Sequence, residues 1–144
     1  MSLVERVVLI DDNEADNYFH ELMLREAGFK GEIVAFESGE TALAGLVVID
    51  LLRPTVIFLD INMPRMNGFT VAEKLVHILA NNCDVALFML TSSDAREDRA
   101  RARQIPVVSG YVIKPLSDSM LENFFNAIDW GKKPPTMSAP EYQI

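Results

Sequence analysis

Cysteine is almost missing from this chain: Cys83 is the only one in 144 residues, so no internal disulfide can form. Histidine is nearly as scarce, with His20 and His77 alone, and no Cys/His cluster has the spacing of a zinc module. Basic residues are outnumbered, 13 Lys and Arg against 21 Asp and Glu, giving a formal charge of −8. That balance repels phosphate backbones and acidic membrane surfaces, so direct nucleic-acid binding is not expected. Long apolar runs are also lacking. The longest, Ala42 to Ile49 with Gly45 inside it, falls far short of the roughly 18 to 20 residues a membrane span requires. No basic segment followed by an apolar one opens the chain, so neither membrane insertion nor export is expected, and the reading is cytoplasmic.

What is present is an ordinary globular composition, 49% apolar and 24% charged, at a length that suits one domain. Short runs rich in β-branched residues recur at Val7 to Ile10, Ile33 to Phe36, Val56 to Leu59, Val85 to Leu90 and Tyr111 to Ile113. The stretches between them are long enough for helices. Three apolar sets at helical spacing read as core-facing stripes: Tyr18, Phe19, Leu22 and Met23; Phe69, Ala72, Val76 and Leu79; Leu121, Phe124, Phe125 and Ile128. Gly28 and Gly31 follow the first helix. Ser38 or Gly39 caps the second, Asn67 the third, Asp94 the fourth, and Ser117 or Asp118 the fifth. Strands apolar along most of their length, alternating with helices, predict a doubly wound α/β domain with a five-stranded parallel sheet in the order 2-1-3-4-5 and five helices over residues 1–130. After Trp130 the chain turns to Gly131-Lys132-Lys133-Pro134-Pro135, and residues 131–144 are expected to be an extended or disordered tail.

Ligands of open parallel sheets bind beyond the carboxyl ends of the strands, and here those ends are acidic. Strand one runs into Asp11-Asp12-Asn13 and strand three into Asp60. With these strands adjacent, three carboxylates meet. Two like charges about 4 Å apart at an effective dielectric near 20 repel by roughly 4 kcal/mol, so a cation or a proton must relieve them. A few hard oxygen ligands from protein, with water and phosphate oxygens completing the shell, are what Mg²⁺ prefers. Any one of these aspartates alone is as readily a helix cap; three together point to a metal site. Strand four leads into Thr91-Ser92-Ser93 and strand five into Lys114-Pro115 on the same rim. A hydroxyl and an ammonium facing metal-bound carboxylates would receive a phosphoryl group.

Asp11-Asp12, the segment Leu59-Asp60-Ile61-Asn62-Met63-Pro64 with Gly68, Thr91-Ser92 and Lys114-Pro115, each ending a predicted strand, together resemble the receiver domain of two-component response regulators over residues 5–130. The resemblance implies that Asp60 accepts a phosphoryl group from a sensor histidine kinase or a histidine phosphotransfer protein. It implies that Asp12 binds Mg²⁺ directly, that Asp11 helps, and that Asn62 adds its backbone carbonyl. It implies further that Thr91 and Lys114 bind the phosphoryl group, that the bond to Pro115 is cis, and that Tyr111 is a switch aromatic; plain core packing competes for Tyr111. Such a chain is a switch that promotes its own phosphorylation and dephosphorylation rather than a metabolic enzyme. With no room for an effector domain in 144 residues, its output is expected through a downstream protein or onward transfer of phosphate.

The chain departs from the family pattern before Tyr111. Val107-Val108 stand where the family usually has Gly-Ala, and Pro106 is expected to end the fourth helix. That helix carries Arg96, Arg99, Arg101 and Arg103 and reads as a docking face, with a homodimer through helix four, strand five and helix five one way to use it; a plain solvated helix face competes for this charge run. A haloacid-dehalogenase-type phosphatase would require a second aspartate where Asn62 stands. A flavodoxin-like carrier would require a Ser/Thr/Gly-rich cradle where Asp11 to Asp16 would repel the flavin phosphate. His20, His77 and Cys83 are given no role.

Overall fold

The computed structural model describes residues 3–49, 51–80, 82, 84–92, 95–138 and 142. Five strands, β1 (Arg6–Ile10), β2 (Glu32–Phe36), β3 (Thr55–Asp60), β4 (Val85–Thr91) and β5 (Val108–Ile113), alternate with five helices, α1 (Glu14–Glu26), α2 (Gly39–Leu46), α3 (Gly68–Leu79), α4 (Arg96–Arg103) and α5 (Asp118–Phe124). The strands form one parallel sheet in the order β2-β1-β3-β4-β5, as the sequence predicts.

Side chains alternate across this sheet with period two. Val8, Ile10, Ile57, Leu59, Leu87 and Met89 face a core closed by Ala42 and Leu46 of α2, Phe69, Val71 and Leu75 of α3, and Ala102 of α4. Val7, Leu9, Val56, Phe58, Phe88 and Leu90 face the other core, closed by Leu24 of α1 and Leu121 and Phe124 of α5. Both faces of the central strands are therefore dry, which is why these segments read as unbroken apolar runs. Helix starts follow side-chain chemistry. The Ser38, Asn67 and Ser117 side chains accept from the backbone N–H groups of Thr41, Thr70 and Met120, and Asn13, not singled out in the sequence, caps α1 through the N–H groups of Ala15 and Asp16. The expected Asp94 cap of α4 and Cys83 lie outside the described residues.

The structure corrects the sequence reading in three places. The face that α1 turns to the core is Asn17, His20 and Leu24; Tyr18, Phe19 and Leu22 are exposed, at 64%, 41% and 42%. The cause is polar. The Asn17 side-chain amide donates to the carbonyls of Asp11 and Phe36 at 3.1 and 3.2 Å, and that anchor at the ends of β1 and β2 fixes the rotation of the helix. Strand β5 begins at Val108 rather than Tyr111, because the register against β4 shifts between Leu87 and Phe88 and absorbs Ser109 as an extra residue. Helix α5 stops at Phe124; a 3-10 turn over Phe125–Ala127 leads into β6 (Ile128–Asp129), which pairs antiparallel with β7 (Thr136–Met137). Of the stretch expected to be an extended or disordered tail, residues 131–138 and 142 are described, and Met137 and Tyr142 are buried. Tyr142 stands edge-on to Phe124 with ring centroids 5.1 Å apart, so apolar anchors hold this part of the tail on the domain.

Candidate phosphoryl and metal site

Strand order builds the site. Ile10 of β1 pairs with Leu59 of β3, so Asp11, the first residue after β1, and Asp60, the last residue of β3, emerge side by side. Thr91 pairs with Ile113, and the Lys114 N–H donates to the Thr91 carbonyl at 2.6 Å, which brings Lys114 onto the same rim. The loop after β3 is held close to Asp60: the Gly68 N–H donates to the Ile61 carbonyl at 2.8 Å, and a Cβ at Gly68 would overlap the Asp60 carbonyl oxygen. Only glycine permits this approach.

Asp11, Asp12 and Asp60 each bring a carboxylate oxygen within 4.8 Å of the other two. Asp11 and Asp60 are buried, at 2% and 4% exposure, whereas Asp12 is exposed. Three anionic hard oxygens, with solvent on one side, suit a hard divalent cation that retains part of its water shell. Asn62 is exposed two residues beyond Asp60, between the buried Ile61 and Met63. Thr91 is fully buried where β4 ends.

Lys114 lies across the cluster. Its ammonium is 2.6 Å from Asp11 Oδ2, 3.0 Å from Asp16 Oδ2 and 3.3 Å from Asp60 Oδ1. Burial alone would lower its pKa, but the Asp11 and Asp16 carboxylates it touches more than reverse this and hold it above the ordinary lysine value. Asp60 moves the opposite way from a normal aspartate: burial, and then the charge of Asp11, raise it to about 6 despite Lys114. His20, one turn beyond Asp16, is lowered by burial and then by Lys114.

The structure thus gathers Asp11, Asp12, Asp60 and Lys114 into one constellation and sets Thr91 and Asn62 at the ends of the neighbouring segments. Tyr111 stands apart. It is buried to 1% in the core under α4, and the Arg99 guanidinium lies 5.3 Å from the centre of its ring. The Lys114–Pro115 peptide is cis. Sequence reasoning missed Asp16, which it met only as one acid in an acidic run. The available signal was its place in the first turn of α1, directly after Asp11 and Asp12.

Residues 7–126 match the family model described as the response regulator receiver domain. Among curated relatives, the chain is 34% identical over 116 residues to the response regulator PleD of Caulobacter vibrioides, covering 81% of this chain and 24% of that protein. It is 27% identical over 134 residues to the probable transcriptional regulator ycf27 of Cyanophora paradoxa, covering 93% and 52%. The chain therefore spans about half or less of these relatives. A two-component response regulator from Cytophaga hutchinsonii has the same fold, with TM-score 0.74 and 29% identity over 85% of this chain and 95% of that one. From the match across nearly all of the sheet and its helices, the chain belongs to the response regulator receiver domain family, the phosphorylation-dependent switch of two-component signalling.

Proposed function

We propose that Asp60 is the phosphoacceptor and that Asp11, Asp12 and Asp60, with the backbone carbonyl of Asn62, hold Mg²⁺. The observation that carries this reading is the near-complete burial of Asp60 within a cluster of three carboxylates while Lys114 Nζ stands 3.3 Å away. When bound, Mg²⁺ supplies positive charge that offsets the carboxylates and the incoming phosphoryl oxygens. An Asp60 oxygen attacks phosphorus in line, an O–P bond forms, and the bond to the donor breaks, its electron pair leaving on the imidazole of a phosphohistidine or on acetate from acetyl phosphate. The attack needs Asp60 as a carboxylate, a form favoured by Lys114 and by any bound cation against the burial that lifts its pKa to about 6.

The product places a new dianion at the rim. The Thr91 hydroxyl and the Lys114 ammonium gain charge-assisted contacts that exist only with it, and that differential interaction moves the loops carrying them. Tyr111, already turned into the core, is the side chain whose position this shift stabilises. The donor is a sensor histidine kinase or a histidine phosphotransfer protein. The protein acts in the cytoplasm, promotes its own phosphorylation and dephosphorylation, and signals through contacts on α4, β5 and α5, a homodimer through that face included. The stacking of Arg99 of α4 on Tyr111 of β5 supports this choice of surface.

The test is intact-mass analysis after incubation with acetyl phosphate, with and without Mg²⁺, on wild type and Asp60→Ala. A single phosphate adduct that needs Mg²⁺ and disappears in the variant is expected. Absence of any adduct on folded wild-type protein across several donors overturns the assignment.

A further inference from the structure

An ammonium group has three N–H donors and no acceptor. On Lys114 three carboxylates already stand around it: Asp11 at 2.6 Å, Asp16 at 3.0 Å and Asp60 at 3.3 Å. Of these contacts the one to Asp16 is a formed hydrogen bond, and a phosphoryl oxygen arriving on Asp60 is a further acceptor that competes for the ammonium's donors.

The three are not equally able to yield. Asp11 is 2% exposed, its Oδ1 accepts from the Asn13 N–H at 2.9 Å, and its Oδ2 holds the lysine at 2.6 Å beside Asp60, where the phosphoryl group arrives. Asp60 carries the phosphoryl group itself and stays within reach. Asp16 has a side chain 40% exposed, so water can replace the ammonium at little cost. It also belongs to a different element, the first turn of α1, whereas Asp11 directly follows β1 and Asp60 ends β3.

We infer that Asp16 is a positioning residue: it tethers Lys114 to α1 in the unphosphorylated protein and is the partner exchanged when a phosphoryl group arrives on Asp60. This rests on the reading of Asp60 as phosphoacceptor. Two consequences follow from the exchange. The resting tether lowers the apparent affinity for the phosphoryl group by the free energy of one part-exposed ion pair, and phosphorylation removes one tie from the first turn of α1, the helix that displays Tyr18, Phe19 and Leu22 to solvent and that the Asn17 amide still anchors.

The experiment titrates beryllofluoride, a phosphoryl analogue, into full-length protein at fixed Mg²⁺, following the backbone amide of Thr91 by NMR. Asp16→Asn removes the tether. Glu14→Gln is the control, because Glu14 is the other acidic residue of that helical turn and is not one of the carboxylates on Lys114; it loses the same favourable interaction with the helix N-terminus. Asp16→Glu tests rescue. Exposed and part-exposed ion pairs are worth a factor of about two to five in an equilibrium constant, so Asp16→Asn is expected to reach half-saturation at a two- to fivefold lower concentration. Glu14→Gln and Asp16→Glu should stay near wild type. In metal-free protein without the analogue, the Lys114 side-chain nitrogen resonance should shift in Asp16→Asn and not in Glu14→Gln. Half-saturation of Asp16→Asn equal to that of Glu14→Gln, or weaker, overturns the tether while leaving Asp60 as acceptor. Wild-type protein that neither binds the analogue nor forms the acetyl-phosphate adduct overturns both.

Discussion

The two ends of the sheet carry charge in opposite ways. At the amino end, where β1, β2 and β3 begin, Arg6 pairs with Glu32 at 2.7 Å, and Arg53 reaches Glu5 and Glu32 at 3.5 and 3.6 Å. Two positive groups meet two negative ones. At the carboxyl end, among the described residues, Asp11, Asp16 and Asp60 stand around Lys114, and the exposed Asp12 lies beside Asp11 and Asp60. Four negative groups meet one positive. The first arrangement is complete within the chain and joins strand starts; the second is short of positive charge by construction. A fold tolerates such a deficit only where something from outside, a cation or a proton, makes it good.

The largest expected effect comes from removing part of that deficit. An unfolded aspartate titrates near 3.9, whereas burial, and then the charge of Asp11, push Asp60 up to about 6 in the metal-free fold. Between these values the folded state binds more protons than the unfolded one, so stability falls as pH rises through that window and the penalty is complete above it. Each pH unit of the interval is worth about 1.4 kcal/mol, and with solvent and Lys114 screening the charge the penalty at pH 7.5 is at most about 3 kcal/mol. Asp60→Asn should therefore be more stable than wild type by up to that amount in urea unfolding with EDTA present. The advantage should vanish below pH 4 and narrow when Mg²⁺ is added to the wild type. Equal stabilities at pH 7.5 would mean that the carboxyl end is already neutralised within the chain, and the contrast between the two ends would collapse.

Breaking the amino end should do the reverse. Arg6 is 3% exposed and binds Glu32 and, at 3.4 Å, the Thr55 hydroxyl. Arg6→Ala removes a packed stem as well as a charge. Because Glu32 is about half exposed, its carboxylate can rehydrate, and the loss should be about 2 kcal/mol rather than the 3 to 5 typical of a fully buried pair. It should show no dependence on divalent cations. A loss that Mg²⁺ modulates would show the two ends to be coupled through β1 and β3.

Much of the site was legible before the structure because it depends on strand order alone. Once β1 and β3 are neighbours, Asp11 and Asp60 must adjoin, whatever the helices do. Asp16 was not legible, because its contact with Lys114 spans 98 residues and depends on how α1 is rotated about its own axis. That rotation was misread. Tyr18, Phe19 and Leu22 form as good an apolar stripe as Leu24 and Ala27, and hydropathy favours them over Asn17 and His20. The choice is made by the Asn17 amide satisfying two carbonyls at the ends of β1 and β2, a polar requirement that apolar periodicity does not register. The start of β5 was missed for a related reason: Ser109-Gly110 reads as turn chemistry, yet the strand runs through both by taking Ser109 as a bulge, with Gly110 so close to Phe88 that a Cβ there would overlap the ring.

The smallest expected effect limits how far the amino end can be called a network. Arg53 is 40% exposed, and its partners Glu5 and Glu32 are 55% and 49% exposed, at 3.5 and 3.6 Å. Pairs of this kind gain little, since water already solvates both charges and two side chains must be held in one geometry. Arg53→Ala should change stability by no more than about 0.5 kcal/mol at low salt, and by less as salt rises and screens the pair. Measured together, Arg6→Ala and Arg53→Ala then place the stabilising contribution in the one arginine that is buried between strand starts. A loss at Arg53 as large as that at Arg6 would mean instead that the four charges act cooperatively, and the double variant would show it directly by losing less than the sum of the two.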